Sequence, residues 1–146
     1  MPELAHVVFY VRDLARSVDF YTGAVGLERV AELFGGRAAM LTGGRTHHEL
    51  LLIEVGDAPG PLRGRRLGLY HVAWKLGDSL DVLRRARDRL IAMGCTIDGQ
   101  SDHGVSQSLY LRDPDGNEVE LFVDDPAVDW RNDRSWLDAP VRPLDL

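Results

Sequence analysis

Histidine and glutamate recur at matching positions in the two halves of this 146-residue chain. His6 and His71 are 65 residues apart, and each stands at the start of an apolar segment that predicts a β-strand. Glu54 and Glu120 are 66 residues apart, and each lies in the last predicted strand of its half. Burying an imidazole or a carboxylate without a partner is costly, so the repeated placement predicts that these side chains share a site.

These residue types favour a divalent metal ion at such a site. Strand side chains alternate between two faces, so the histidines and glutamates can converge if their strands face one cavity. Two histidines and one carboxylate, with coordination positions left open, are suited to Fe(II) or another first-row divalent ion. We therefore predict His6, His71 and Glu120 as metal ligands. His48 shares a face with Glu54 under the same alternation and is a further candidate.

The elements that must position these residues follow the order βαβββ twice. In the first half Asp13 predicts the start of a helix, and Gly23 and Gly26 predict its end. In the second half Asp78 or Ser79 predicts the helix start. This internal duplication predicts an α+β fold. The predicted strands are Ala5–Val11, Leu27–Phe34, Arg37–Leu41 and His48–Val55 in the first half, and Leu69–Leu76, Cys95–Asp98, Ser106–Arg112 and Glu118–Val123 in the second.

The whole chain is expected to be a single domain of residues 1–146. Its predicted parts are module one at residues 4–56, a linker at 57–68, module two at 69–124 and a C-terminal tail at 125–146. The linker is rich in glycine and proline, which is the composition of an exposed connection. The tail lacks a helical or strand period, and its Trp130 and Trp136 predict that it packs on the body or on a second subunit.

The composition excludes several classes of partner. Lys and Arg number 17 against 23 Asp and Glu, and the net charge of −6 repels phosphate backbones and anionic membranes. The sequence shows no signal-like N-terminal segment and no apolar run near the roughly 20 residues that span a bilayer. The lone Cys95 cannot form an internal disulfide and is expected to be a buried structural thiol. We therefore expect a cytoplasmic protein without nucleic-acid or membrane partners.

Two motifs resemble those of a known family. The segment HVVFYVRDLARSVDFYTGAVGL resembles the opening, and YLRDPDGNEVEL the closing motif, of the vicinal oxygen chelate superfamily, which includes glyoxalase I, extradiol dioxygenases and bleomycin-binding proteins. The resemblance covers residues 4 to about 124. It implies paired βαβββ modules that form an open, cupped mixed sheet around a divalent metal, with His6, His71 and Glu120 as the ligands.

Within this superfamily, further residues resemble those of the extradiol dioxygenases. His48 in THHEL, His103 in DHGVSQSLY and Tyr110, ten residues before Glu120, stand where those enzymes carry active-site histidines and a tyrosine. The resemblance implies that His48 or His103 accepts and returns a proton, while Tyr110 hydrogen-bonds a substrate oxygen. We expect ring cleavage of a catechol-like small molecule with O2, by a homodimer that uses Fe(II) or Mn(II).

Two alternatives remain open. Glu54 aligns with the second carboxylate ligand of glyoxalase I, and a four-ligand site would favour a lyase or epimerase that uses Ni(II), Zn(II) or Mn(II). The other alternative is a metal-free protein that sequesters a planar drug in the same cavity, as bleomycin-binding relatives do. The retention of all three ligand types argues against this last function.

Overall fold

The computed structural model describes residues 1–146, which form two compact units. Unit 1 comprises residues 1–66 and 113–116, and unit 2 comprises residues 67–112 and 117–146. The elements of unit 1 are β1 (Val7–Val11), α1 (Leu14–Phe20), β2 (Glu28–Leu33), β3 (Ala38–Thr42) and β4 (Leu50–Glu54). The elements of unit 2 are β5 (His71–Gly77), α2 (Leu80–Ala92), β6 (Ile97–Asp102), β7 (Ser106–Arg112), β8 (Glu118–Asp124) and β9 (Arg142–Pro143).

Each unit has one open mixed sheet, and the two sheets share a topology. The strand order is β1-β4-β3-β2 in unit 1 and β5-β8-β7-β6-β9 in unit 2. In both sheets the first strand runs parallel to its neighbour, and the other neighbours are antiparallel. The predicted α+β class and the repeated βαβββ order are therefore confirmed. No helix is long and apolar enough to cross a membrane.

Capping residues fix where the helix of unit 1 begins and ends. Asp13 is its N-cap, and the Asp13 carboxylate accepts the backbone N–H of Arg16 at 2.9 Å. α1 continues into a π-helical turn at Tyr21–Val25, which ends at Gly26 with a φ of 93°. The prediction that Gly23 ends the helix is wrong, because this residue lies inside the π-helical turn. Gly26 is the residue that adopts the left-handed backbone in which glycine is favoured.

Strand alternation gives the sheet of unit 1 a core face and an open face. The core face packs against α1 and carries the fully buried residues Leu50 and Leu52. The open face carries Val8, which is 46% exposed, and Tyr10, which is 72% exposed. His6 lies one residue before β1, where continued alternation with Val8 and Tyr10 predicts the open face.

The sheet of unit 2 is divided in the same way. α2 packs on it through a stripe of buried residues that includes Leu83 and Leu90. The fully buried sheet residues of unit 2 include Leu109, Leu111, Val119, Leu121 and Val123. Their neighbours on the same strands point the other way, so His71, Tyr110 and Glu120 lie on the open face.

Among the predicted strands, only Ser106–Arg112 is observed with its predicted bounds, and two of the shifts in the other strands affect the candidate site residues. β4 begins at Leu50, so His48 lies just before this strand and not within it. β6 continues past Asp98 to Asp102 and pairs with β7 along this length. The pairing uses backbone hydrogen bonds, which a pattern of polar side chains does not reveal.

The C-terminal tail contains regular structure that its composition did not predict. Ser135–Asp138 forms a single 3-10 turn, and β9 pairs antiparallel with Ser101 and Asp102 at the end of β6. Pro143 is tolerated in β9 because the strand is at the sheet edge, where a missing N–H costs little. The tail therefore packs on the body of unit 2, which is one of the two outcomes expected for it.

The strand register corrects one part of the predicted duplication. Ala73 of β5 pairs with Glu120 of β8. Val8 of β1, which is 65 residues earlier than Ala73, pairs with Leu51 of β4. Leu51 and not Glu54 therefore occupies the place equivalent to Glu120. The prediction that the two glutamates are equivalent is wrong. The chain between the paired strands differs in length in the two units, so an equal spacing in sequence does not give an equal place in the sheet.

Glu54 instead has a partner at the start of α1. It pairs with Val11 on the core face of unit 1, and its Oε2 accepts the backbone N–H of Leu14 at 2.8 Å. Amides in the first turn of a helix have no partner within the helix, and a carboxylate there also interacts favourably with the helix dipole. Glu54 thus fastens the start of α1 to the end of β4.

We predict that Glu54→Ala lowers the free energy of unfolding by about 0.5–2 kcal/mol, the usual cost of losing a helix cap. Glu54→Gln should cost less, because its amide oxygen can accept the same hydrogen bond. Urea unfolding followed by circular dichroism measures both losses. An unchanged unfolding midpoint for Glu54→Ala would contradict the capping role.

Candidate active site

The open face of unit 2 brings a histidine and a glutamate together from neighbouring strands. In the parallel pair of β5 and β8, His71 is opposite Glu118 and Ala73 is opposite Glu120. Nε2 of His71 lies 3.0 Å from Oε2 of Glu120. Glu120 is only 9% exposed, so its carboxylate depends on protein partners rather than on water.

Two hydroxyls of β7 hold the other oxygen of this carboxylate. Oγ of Ser108 donates to Oε1 of Glu120 at 2.5 Å, and the hydroxyl oxygen of Tyr110 lies 3.2 Å from the same atom. Ser108 and Tyr110 are two residues apart on one strand, so they share the open face. Their contacts orient the carboxylate and leave Oε2 directed at His71.

Tyr110 connects Glu120 to a second histidine. The Tyr110 hydroxyl lies 2.8 Å from Nε2 of His103. Nδ1 of the same ring lies 2.7 Å from the carbonyl oxygen of Pro140. The result is a continuous chain of polar contacts that runs from His71 through Glu120 and Tyr110 to His103.

The surroundings of Tyr110 stabilise its protonated form. Burial and the nearby Glu120 carboxylate raise the pKa of Tyr110 to about 12. Both effects act against the phenolate, which would place a second negative charge in a partly desolvated site. Tyr110 therefore keeps its proton near neutral pH and is a hydrogen-bond donor there.

His71 is flanked by aromatic rings and by a second carboxylate. The ring centroids of Tyr70 and Tyr110 lie 4.7 Å and 6.0 Å from that of His71. Nδ1 of His71 is buried without a hydrogen-bond partner, and Oε1 of Glu118 lies 3.4 Å from it. Glu118 also pairs with Nη2 of Arg112 at 2.9 Å and raises the pKa of Tyr70 by its charge. Glu118 therefore lies beside Nδ1 of His71 without a hydrogen bond to it.

Unit 1 gathers three histidine rings near the start of β1. The ring centroids of His6 and His48 are 4.5 Å apart, as are those of His47 and His48. The Nδ1 atoms of His47 and His48 are 2.5 Å apart, so one donates a proton that the other accepts. His48 is buried, and its pKa is lowered by desolvation and by the two neighbouring imidazoles. His48 is therefore neutral near pH 7 and can accept a proton.

The structure divides the candidate residues between the two units. The residues that unit 2 brings together are His71, His103, Tyr110 and Glu120. His6 and His48 are in contact in unit 1, whereas Glu54 contacts the start of α1.

Several partners in these contacts were missed by sequence reasoning. The missed residues are Tyr70, Ser108 and Pro140. Period-two alternation would have found Ser108, because it lies two residues from Tyr110 on the same strand, just as alternation along the last strand places Glu118 on the face of Glu120. The sequence gives no indication of the Pro140 contact, because the atom involved is a backbone carbonyl oxygen, which every residue has.

The donor atoms of the His71–Glu120 pair fit a first-row divalent metal ion. Imidazole nitrogen and carboxylate oxygen are common ligands of such ions, with bonds of about 2.0–2.2 Å. Nε2 of His71 and Oε2 of Glu120 lie 3.0 Å apart, which is a hydrogen-bond distance, so the two donor atoms are close neighbours without a metal ion. The structure assembles no group of three or more His, Cys, Asp or Glu side chains that could hold a metal ion. The pair thus offers two ligands of the predicted three.

Comparison with known proteins identifies related sequences. Residues 3–121 match the model of the Glyoxalase/Bleomycin resistance protein/Dioxygenase superfamily. A catechol-2,3-dioxygenase of Bacillus subtilis (strain 168) is 38% identical over 125 residues, which cover 85% of this chain and 42% of that protein. Biphenyl-2,3-diol 1,2-dioxygenase 3 of Rhodococcus globerulus is 35% identical over 133 residues, which cover 87% of this chain and 66% of that protein. The chain therefore spans less than two thirds of the length of either relative.

A solved structure shares the fold. The glyoxylase/bleomycin resistance protein/dioxygenase domain from Frankia sp. EAN1pec superposes with a TM-score of 0.69 at 21% identity, covering 88% of this chain and 96% of that one. At this identity the likeness concerns the fold alone. The repeated βαβββ topology agrees with this likeness and with the matched segment, and the chain belongs to the glyoxalase/bleomycin resistance protein/dioxygenase superfamily, with the vicinal oxygen chelate fold.

Proposed function

We propose that this protein is an extradiol-type dioxygenase that cleaves the ring of a catechol-like small molecule with O2. The observation that carries the proposal is the array of His71, Glu120, Tyr110 and His103 on the open face of unit 2. Contacts of 3.0, 3.2 and 2.8 Å couple a pair of metal-type donors to a hydroxyl and then to an imidazole. Identities of 38% and 35% to dioxygenases of catechol and biphenyl-2,3-diol support the same class of reaction.

The proposed cofactor is a divalent metal ion, with Fe(II) favoured over Mn(II), and its proposed ligands are His6, His71 and Glu120. His71 and Glu120 provide the donor pair of unit 2, and His6 lies on the corresponding open face of unit 1. When bound, the metal supplies Lewis-acid binding of the two catechol oxygens and the redox chemistry of O2.

Tyr110 and His103 are proposed to handle the substrate proton. A catechol has to lose protons before its ring is cleaved, so the site needs a donor and an acceptor beside the substrate oxygens. Tyr110 keeps its own proton and can donate a hydrogen bond to a substrate oxygen. Nε2 of His103 lies 2.8 Å from the Tyr110 hydroxyl and can accept and return a proton.

His48 is proposed as a further proton acceptor. Desolvation and the neighbouring imidazoles lower its pKa, so the ring is neutral near pH 7 and one of its two nitrogens carries a lone pair. Its ring contacts that of His6, which we propose as a metal ligand. Replacing His48 should therefore change proton transfer without removing a ligand.

The glyoxalase-like alternative requires Glu54 as a fourth ligand of Ni(II), Zn(II) or Mn(II). Glu54 lies on the core face of unit 1, and its Oε2 accepts the N–H of Leu14. Leu51 has the place equivalent to Glu120 and supplies no donor. These positions favour a three-ligand site and a dioxygenase over a lyase or epimerase. Retention of the His71–Glu120 donor pair argues against a metal-free drug-binding protein.

The proposed setting of the reaction is the cytoplasm, and the proposed assembly is a homodimer. The net charge of −6 agrees with a small-molecule substrate rather than a nucleic-acid or membrane partner. The single Cys95 agrees with a reducing compartment.

We predict that His6→Ala, His71→Ala and Glu120→Ala each lose stoichiometric iron, because each removes one of three ligands. The matched control is Glu54→Gln, which should retain full iron occupancy. Metal analysis of anaerobically purified protein gives iron per chain, and circular dichroism checks the fold. Full occupancy in any of the three alanine variants would remove that residue from the ligand set. Loss of iron from Glu54→Gln would favour the four-ligand alternative.

We predict that the iron-loaded protein consumes O2 with a catechol and forms a yellow ring-cleavage product. Tyr110→Phe and His48→Ala should keep the metal but lower kcat by roughly 10²–10⁴-fold, the usual contribution of general acid–base catalysis. We would test a panel of catechols that includes biphenyl-2,3-diol. Absorbance measures the ring-cleavage product, and an oxygen electrode measures O2 uptake.

Glu54→Gln again serves as the control for turnover and should retain near-native kcat. Stoichiometric nickel or zinc without O2 uptake would contradict the dioxygenase proposal. Undiminished turnover in His48→Ala or Tyr110→Phe would remove that residue from the proton-transfer steps.

A further inference from the structure

The C-terminal segment at residues 135–143 lies against the turn that carries His103. β9 pairs with the end of β6, where Arg142 is opposite Asp102. Nη2 of Arg142 lies 2.8 Å from Oδ2 of Asp102, the residue directly before His103. The segment is therefore attached to the sheet at the point where the His103 turn begins.

Gly104 allows the segment to approach this turn closely. The residue has a φ of +79°, in the left-handed region, and its N–H donates to Oδ1 of Asp102 at 2.8 Å. A Cβ at this position would lie 3.0 Å from Cβ of Trp136. The turn conformation and the packing of the segment thus both favour glycine after His103.

The carbonyl of Pro140 determines which nitrogen of His103 carries the proton. Its oxygen lies 2.7 Å from Nδ1, and a carbonyl can only accept a hydrogen bond, so Nδ1 is the donor. A neutral imidazole with its proton on Nδ1 has an unprotonated Nε2. Nε2 lies 2.8 Å from the Tyr110 hydroxyl oxygen, whose single proton is then shared between this nitrogen and Oε1 of Glu120 at 3.2 Å.

We propose that the segment at residues 135–143, named here the tail clamp, is a positioning element for His103. Through the Pro140 carbonyl it keeps the proton on Nδ1, so that Nε2 is the nitrogen available to accept a proton at the site. The consequence for turnover rests on the proposed function. The tautomer itself is a property of the chain without metal or substrate, so it can be measured separately.

The first test is the ¹⁵N NMR spectrum of the His103 ring in the full-length protein at about pH 8.5, where an unperturbed imidazole is neutral. Two-bond proton–nitrogen correlations distinguish a protonated ring nitrogen from a bare one. The signals of His103 are assigned by their loss in His103→Gln. We expect a protonated Nδ1 and a bare Nε2.

The second test uses Arg142→Glu, which places a negative charge against Asp102 and should release β9. His103 then loses its carbonyl acceptor, and the nitrogen signals should shift toward the form protonated on Nε2. Arg142→Lys retains the cation and should keep the native tautomer. The matched control is Arg84→Glu, because Nη1 of Arg84 makes a contact of the same 2.8 Å length with Asp81 on α2, away from the tail clamp.

Turnover gives an independent measurement. In the iron-loaded protein, Arg142→Glu should lower kcat about 10- to 100-fold with little change in KM, which is the range for residues that orient a functional histidine. Absence of ring cleavage in every variant and in the native protein would overturn the proposed function, whereas the nitrogen spectrum would still test the tail clamp.

A native His103 protonated on Nε2 would overturn the proposal, and so would a folded Arg142→Glu protein with an unchanged tautomer. The spectrum of the native protein shows which His103 nitrogen carries the proton, even if Arg142→Glu does not fold. Inversion of the two nitrogen signals in Arg142→Glu, with no change in Arg142→Lys or Arg84→Glu, is the result that supports it.

Discussion

The buried carboxylate of Glu120 governs the arrangement of the open face of unit 2. A carboxylate withdrawn from water needs strong hydrogen bonds or an opposite charge, and losing one partner would leave a costly buried group. Ser108 and Tyr110 contact one oxygen, and His71 contacts the other. These partners come from β5 and β7, the two strands on either side of β8, so the need to satisfy one charge brings the imidazole and the hydroxyl to the same place.

The core on the other side of the same sheet keeps these partners in register. Leu109 and Leu121 are fully buried, and they alternate along β7 and β8 with the polar residues of the open face. A slip of one residue would move the leucines into the open face and bury the glutamate against α2. The apolar packing that stabilises unit 2 therefore also positions the site, although it contacts none of the reacting atoms.

Much of this arrangement could be predicted because it depends on local patterns. The alternation of apolar residues and the helix caps predicted the βαβββ order. The histidine, tyrosine and glutamate motifs identified four residues that the structure brings together, which are His71, His103, Tyr110 and Glu120. The equivalence of Glu54 with Glu120 failed, because sequence spacing does not reveal how strands pair. The Pro140 contact and β9 were not predictable, since backbone atoms make them and no residue type indicates their position.

The most direct measurement of the central claim is the anomalous difference density of crystals grown with Mn(II). The account predicts a peak within bonding distance of Nε2 of His71 and Oε2 of Glu120, with His6 as a further ligand. A strong peak at Glu54 with none at His71, or full Mn(II) loading with no density near Glu120, would contradict it.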